Sequence, residues 1–533
     1  MTVVQQTADG ESGGRNDASL TGRDRLVSNV IWSWAGHLVF VVSGFLMPRL
    51  IDSHIGQVSL GVWDFCWSIV SYLSLASFGI GSSVNRYVAH YRATGERELL
   101  SSSVSSVFAI QLVIGILVLL ASLALAWFVP ELFSGRLHEH TEETRWVVFF
   151  LGASVAVQMG FDSFRGIITG CHRWDLHNGI QSGSYALTVV GMMVALHYGG
   201  NVASLAVVYF VGALGGEILR ATAALRVCPE LKISLRNANW KDSRKMATFG
   251  SKTLILALPP LLVLQTSAIM ITASMGPAAL AVLSRPLGLV RHLETFLGKF
   301  TYVLGPIFGS LHLSGSHDER RELFIDSARW GIAFALPAMM MLALLGDSVL
   351  SLWMGPNYVH PGLMMLLSAG LFLSASQGAA VQALTGMNAH GRIAILNVVL
   401  TVMILAVSTS VAQMLNMQWT LIGAAILIVC TLVPPYGFIV PIYACHKLSI
   451  PLTEYLRRTF LLPVLCSLPL LVTLLITRRV FDGHPFYTLM VGGVMGTVVI
   501  CAVYWAFLLK PEHRERARRA LAGALRLAPA KDD

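Results

Sequence analysis

The chain has 533 residues, 55% hydrophobic and 13% charged, against roughly 25% charged in an ordinary soluble domain. With a mean hydropathy of +0.65, that composition excludes a soluble globular protein, and membrane-spanning runs must dominate. A formal charge of +9 would suggest a nucleic-acid partner in a soluble chain; here the placement of the charges carries the information, and no nucleic-acid partner is expected.

Residues 1–27 are polar and rich in Gly, Ser, Asp and Arg, which reads as a disordered tail. The first apolar run is too long for a signal-peptide core and lacks a small-residue cleavage site, so it counts as the first span. A hydropathy window then places spans at 28–50, 60–84, 104–128, 146–169, 178–198 and 202–225. A polar, basic connector follows at 226–245. A second set lies at 246–271, 278–311, 330–352, 361–385, 393–415 and 421–445, and two more at 460–475 and 486–509 close the membrane part. The basic tail 510–533 sets Arg514, Arg518 and Arg519 beside Leu521 and Leu525, in a pattern suited to a helix on an anionic leaflet or to a solvated tail.

The expected fold is therefore all-α, with about fourteen transmembrane helices. They divide into two parallel six-helix lobes (28–225 and 246–445) and two C-terminal helices within 446–509. With both termini cytoplasmic, the inner segments hold 28 of the 38 Lys and Arg, Arg220 counted with the connector. The outer loops hold only Arg49, Arg136, Arg145, Arg478 and Arg479. That asymmetry supports the orientation and the helix number together. The lobes also repeat in sequence. Gly56-Gln-Val-Ser-Leu-Gly-Val matches Gly276-Pro-Ala-Ala-Leu-Ala-Val, and Ile168-Thr169-Gly170 matches Leu384-Thr385-Gly386. Parallel repeats with a site between them are a transporter architecture. Helix breakers at Pro259-Pro260, Pro286, Gly305-Pro306 and Pro434-Pro435 mark kinks or hinges.

The eighth span is the one apolar run loaded with charge: Arg285, Arg291, His292, Glu294 and Lys299. A basic side chain at mid-bilayer costs about 2.5–3.5 kcal/mol on insertion scales, so it needs a partner, a wet cavity or a protein interior. Arg285, His292 and Lys299 stand at steps of seven, which drift by only about 20° each, so they form one stripe. Arg291 and Glu294, three apart, can pair on another face. Two readings stand: an ion-pair network that fixes helix packing, or a cationic wall facing a substrate. Elsewhere in the spans lie Asp64, Asp162 with Arg165, Glu217 and Lys252. Asp64 is expected to pair with Arg49 and Asp162 with Arg165, while Glu217 and Lys252 share the inner side. After such pairing Arg285, Lys299 and His292 remain as surplus cation, suited to an anionic ligand such as a pyrophosphate. Glu294, Glu217 and Asp64 are also available for coupling to a proton or counter-ion.

Nothing points to an enzyme. No metal-ligand or Ser/His/Asp arrangement is visible, and Gly250-Ser-Lys252-Thr253 lacks the upstream Gly and the Gly-Lys step of a phosphate loop. The seven cysteines show no CxxC or CxxH spacing and read as small buried hydrophobes. No cofactor is expected.

Three short motifs carry a family resemblance: Gly56…Gly61-Val62-Trp63; Phe78-Gly79-Ile80-Gly81 with Asn85-Arg86-Tyr87-Val88-Ala89; and Ile168-Thr169-Gly170…Arg173-Trp174. In these and in topology the chain resembles the polysaccharide and lipid-linked oligosaccharide flippases of the multidrug/oligosaccharidyl-lipid/polysaccharide exporter superfamily. Phe78 departs from the Asp usual before the Gly-x-Gly turn. The resemblance implies an inner-membrane protein that moves undecaprenyl-diphosphate-linked sugars from the cytoplasmic to the periplasmic leaflet. It also implies an anionic cargo, contact with membrane lipids and with polysaccharide polymerase or assembly proteins, and a cationic cavity to which Arg285 is similar in kind. The alternatives are a cation-coupled multidrug exporter of the same superfamily and a scaffold for polysaccharide assembly without transport of its own. The exporter typically uses an acidic residue in its first helix, where this chain has only His37.

Overall fold

The structure, a computed structural model, describes residues 26–77, 81–234, 240–415, 418–509 and 514–515. It is helical throughout, with no strand among the described residues. Among the described residues twelve helices are long and apolar enough to cross a membrane. Two features bring this into line with the fourteen expected spans. The first helix, α1 (Leu26–Leu73), is broken at Gly56 (φ 86°, ψ 167°), so its two limbs count as two spans. The helix that follows α7 (Trp240–Met275), α8 (Pro277–Tyr302), is excluded from the twelve by its own polar residues.

Between these lie α2 (Gly81–Thr94), α3 (Arg97–Leu132), α4 (Thr141–Gly170), α5 (Trp174–His197) and α6 (Val202–Val227). After α8 come α9 (Leu304–Leu313), α10 (His317–Trp353), α11 (Leu363–Ser376), α12 (Gly378–Gly386) and α13 (His390–Met414). The chain closes with α14 (Leu421–Leu432), α15 (Val440–Lys447), α16 (Leu452–Thr459), α17 (Leu461–Val480) and α18 (Pro485–Val503). The expected tails at 1–25 and 516–533 and the Phe78-Gly79-Ile80 turn lie outside the described residues.

The sequence repeat has a backbone counterpart. Gly276 caps α8 at φ 86°, ψ 174°, nearly the angles of Gly56, a region open to glycine and closed to L side chains. His172 and Asn388, two residues after the matched Thr-Gly pairs, are both left-handed (φ 57° and 52°). Their amides donate to Thr169 and Thr385, and the next amides to Ile168 and Leu384, so both helices end in the same Schellman-type turn. Asn201 and Thr420 each cap the following helix with a side-chain oxygen.

The breakers act unequally. α7 runs unbroken through Pro259 and Pro260 and α8 through Pro286. The eighth span stops at Tyr302, before Gly305-Pro306, and resumes as α9. Around Pro434-Pro435 the twelfth span widens into a π-helical segment, Val433–Ile439, a wider winding of the kind that accommodates residues without N–H groups.

At the Gly56 end the two halves touch directly. A Cβ on Gly61 would lie 1.8 Å from the Pro277 carbonyl oxygen, so only glycine admits this approach of the α8 N-terminus to the second limb of α1. Gln57 donates across the same contact to the Ala278 carbonyl at 3.4 Å. Pro277 at the first helical position suits a helix start that meets another backbone.

Candidate functional site

Away from the Gly56 end the halves separate around a cavity of about 700 Å³. Its walls are the second limb of α1, α3, α4, α6, α7 and α8. Among the polar groups it presents are Ser71, Gln111, Gln158, Gln265, the Asp162–Arg165 pair and Arg291. A smaller space of about 310 Å³ shares Trp67, Ser71, Leu264, Gln265 and Arg291 with it and reaches Asp64. Tyr72 and Thr266 join their hydroxyls at 2.8 Å where α1 passes α7.

The Gly61 contact sets the floor. Three residues beyond Gly61 on α1 stands Asp64, and eight beyond Pro277 on α8 stands Arg285; their side chains form an ion pair. Arg285 is 6% exposed. Its charge is therefore matched, which corrects the expectation of surplus cation there. It also corrects the expected Asp64–Arg49 pair: Arg49 instead donates to the Met354 carbonyl at 2.7 Å. That bond belongs to a latch between the first limb of α1 and the end of α10 with the segment after it. Trp353 Nε1 donates to the Phe45 carbonyl at 2.7 Å, and the Tyr358 hydroxyl donates to Asp52 at 2.5 Å. Ion pair, latch and glycine contact together close the cavity at the Gly56 end.

The stripe at steps of seven exists, but all three of its members face α1. His292 stacks on Phe45 with centroids 5.9 Å apart, beside Gly44. Lys299 holds its ammonium 5.4 Å from the Trp34 ring, an ordinary cation–π distance. Both are exposed and neither lines the cavity. Arg291, one residue off the stripe, is the cation of α8 that does. Its expected partner Glu294 stands at 3.5 Å, a loose contact, and the Arg291 side chain keeps 42% exposure.

Asp162 and Arg165 pair as expected, at 2.9 Å. Glu217 does not await Lys252, whose side chain lies outside the described residues. It pairs with Arg220, one turn along α6, and Arg220 also donates to Gln181 at 2.5 Å. Arg220 thus belongs inside the protein at 6% exposure, not in the connector. Sequence reasoning also passed over Gln111, Gln158, Gln265, Trp353 and Tyr358. The three glutamines had a signal, amide groups within apolar spans; the latch residues had none, because their acceptors are mainly backbone carbonyls about 305 positions away.

Among the described residues no group of three His, Cys, Asp or Glu is placed to hold a metal. The site offers two guanidinium groups, the Asp162 carboxylate paired with one of them, amides and hydroxyls around an open volume; Arg291, with its carboxylate partner only loosely held, is the group suited to an anion.

A family model described as a polysaccharide biosynthesis protein matches residues 26–312, more than half of the chain. The chain belongs to that family. A curated relative, the uncharacterized membrane protein EpsK of Bacillus subtilis, is 22% identical over 348 residues, 62% of this chain and 66% of the relative. The chain thus matches just under two thirds of that relative's length. Among solved structures, the lipid II flippase MurJ in an inward closed conformation aligns with a TM-score of 0.65 at 13% identity, covering 90% of this chain and 98% of that one. An inward-facing multidrug resistance MATE transporter gives 0.64 at 14% identity, covering 75% and 93%. An outward-facing one gives 0.52 at 14% identity, covering 82% and 99%. These likenesses establish the fold of the family member described here: a polytopic, all-helical membrane protein.

Proposed function

We propose that this family member is a flippase. It carries a lipid-linked oligosaccharide across an inner membrane, from the cytoplasmic to the periplasmic leaflet, for polysaccharide biosynthesis. The observation that carries the reading is the cavity between the halves, shut at one end and lined by an arginine whose carboxylate partner is loosely held. A guanidinium with unspent donors takes a diphosphate by charge-assisted, bidentate hydrogen bonds. Family membership supplies the polysaccharide context.

The excess of basic residues on inner segments orients the chain with both termini cytoplasmic. The Gly56 end is then periplasmic and the cavity opens toward the cytoplasm. Arg291, with Arg165 behind it, receives the diphosphate. His292 and Lys299 face α1 and meet the cargo only if α1 moves off α8. Arg285 acts with Asp64 as a closing pair at the cavity floor. The units that rock are the six-helix lobes 28–225 and 246–445, with residues 446–509 alongside the second. Membrane lipids surround the exposed apolar faces, and polysaccharide polymerase or assembly proteins are the fitting partners. The protein works by conformational exchange rather than by catalysis.

Arg291→Ala is expected to stop export and to accumulate lipid-linked oligosaccharide on the cytoplasmic leaflet, with the protein still inserted. Arg291→Lys should restore part of the flux. Undiminished export by Arg291→Ala in an Arg165→Ala background would remove the proposed site. Multidrug sensitivity on deletion, without that lipid-linked intermediate, would assign the chain to the exporter branch whose structures share its fold.

A further inference from the structure

The turn between α9 and α10, at the end of the molecule opposite Gly56, encloses an arginine that no carboxylate matches. Arg320 lies in the first turn of α10 and is 5% exposed. Its Nη1 reaches His312 Nδ1 and its Nη2 reaches His317 Nδ1, each at 2.7 Å. Nη1 also stands 3.9 Å from Met387 Sδ, and Nε donates to the Ser316 carbonyl at 3.4 Å. Both histidines are exposed and cover the guanidinium from outside.

A guanidinium has donors and no acceptor, so both imidazoles must accept. Each Nδ1 therefore carries a lone pair, with the ring proton on Nε2. A protonated ring has no lone pair to offer and sets a second cation against a buried one, an arrangement that burial penalises heavily. The neighbouring charges do not relieve it. Asp318 and Glu319, in the same first turn, are exposed, and among the described residues neither pairs with Arg320. From α16, Glu454 goes to Arg321 at 3.5 Å and Arg458 to Glu322 at 2.6 Å. From α12 the sequence supplies no charge at all, and α8 sends its own to α1 and the cavity.

We propose that His312, His317 and Arg320 form a pH-sensitive clasp, which holds α9 in place while both rings are neutral and releases it when either takes a proton. The clasp thus stands at neutral pH and opens as the pH falls through the range in which imidazole titrates.

Its place in the fold gives it an effect. His312 is in the last turn of α9, and Met387 directly follows α12. These two helices already lie backbone to backbone: a Cβ on Gly386 would press on the Gly305 carbonyl oxygen and stand 2.8 Å from Phe308 Cβ. Phe308 is fully buried there. The clasp secures the far end of that contact. Through Val303, α9 continues the span begun by α8, so unclasping frees the end of the helix that carries Arg291.

The test does not depend on the transported molecule. Full-length protein in detergent micelles is pulsed with deuterated buffer at about pH 7.5 and about pH 5.5, on either side of the usual midpoint of imidazole. Exchange is corrected for the chemical rate at each pH. Peptides covering 304–316 should lose their protection several-fold in the acid buffer and regain it on return, while those covering α16 hold. Equal protection of 304–316 at both pH values would overturn the clasp, and this arm needs no variant to fold. The double variant His312→Asn with His317→Asn keeps a side-chain oxygen that can accept and removes the titration, so it should stay protected at both. A loss in acid as large as the parent's would assign the response to other groups and overturn the proposal. Arg320→Gln should exchange at neutral pH as the parent does in acid. A response like the parent's in that variant would deny the guanidinium its role.

Discussion

Arg285 and Arg291 stand six residues apart on one helix and do different work, because their surroundings differ. Arg285 is enclosed and matched by Asp64. Removing one member of a buried pair leaves the other charge stranded, at a cost of about 3–5 kcal/mol. Arg285→Ala should therefore lower the thermal midpoint sharply in detergent, as should Asp64→Ala. The double variant Arg285→Leu with Asp64→Leu should recover most of the loss, since a buried pair is worth little over apolar residues of similar volume. Arg291, solvated by the cavity and held loosely by Glu294, should behave oppositely: its alanine variant should unfold within about 0.5 kcal/mol of the parent, as surface substitutions usually do. Sequence periodicity selected α8 and all of its charged residues. It ranked Arg285 as free because the carboxylate that matches it lies 221 positions earlier, where no periodicity on α8 can see it.

Glycines separate elements that touch from elements that do not. Gly61 meets a backbone carbonyl that cannot yield, so Gly61→Ala should part α1 from α8 and destabilise by more than the roughly 1–3 kcal/mol of ordinary overpacking. Gly183 on α5 has nothing within 4 Å of a built Cβ. There Gly183→Ala should stabilise by about 0.5–1 kcal/mol through helix propensity alone. Thermal unfolding of the two variants side by side checks both signs. The Gly56 and Gly276 motifs were readable as a repeat. That both mark the same positive-φ break, and that one of them brings a helix start against Gly61, required the packed chain. The π-helical segment at Pro434-Pro435 was legible only as a breaker, since α7 carries the same dipeptide at Pro259-Pro260 without interruption.

For the whole molecule, the latch at the Gly56 end holds the cavity closed on that side. Three hydrogen bonds hold α1 to the end of α10 and the segment after it, each worth about 0.5–1.5 kcal/mol net, more for the one from the Arg49 guanidinium. Losing two of them should shift the population toward the state open at that end by roughly tenfold or more. Spin labels at the exposed His54 and Asn357 should report a longer distance in Arg49→Ala with Tyr358→Phe than in the parent.

By itself the sequence determined the class of protein, the succession and number of its membrane helices, their internal repeat and the helix that carries the charge. Those follow from hydropathy, loop charge and local turn chemistry, which act over a few residues to a few turns. The tertiary structure alone decided which of those charges is enclosed with a close partner and which stays half-exposed on the cavity. It also decided which end is closed, because such pairings depend on the approach of helices hundreds of positions apart.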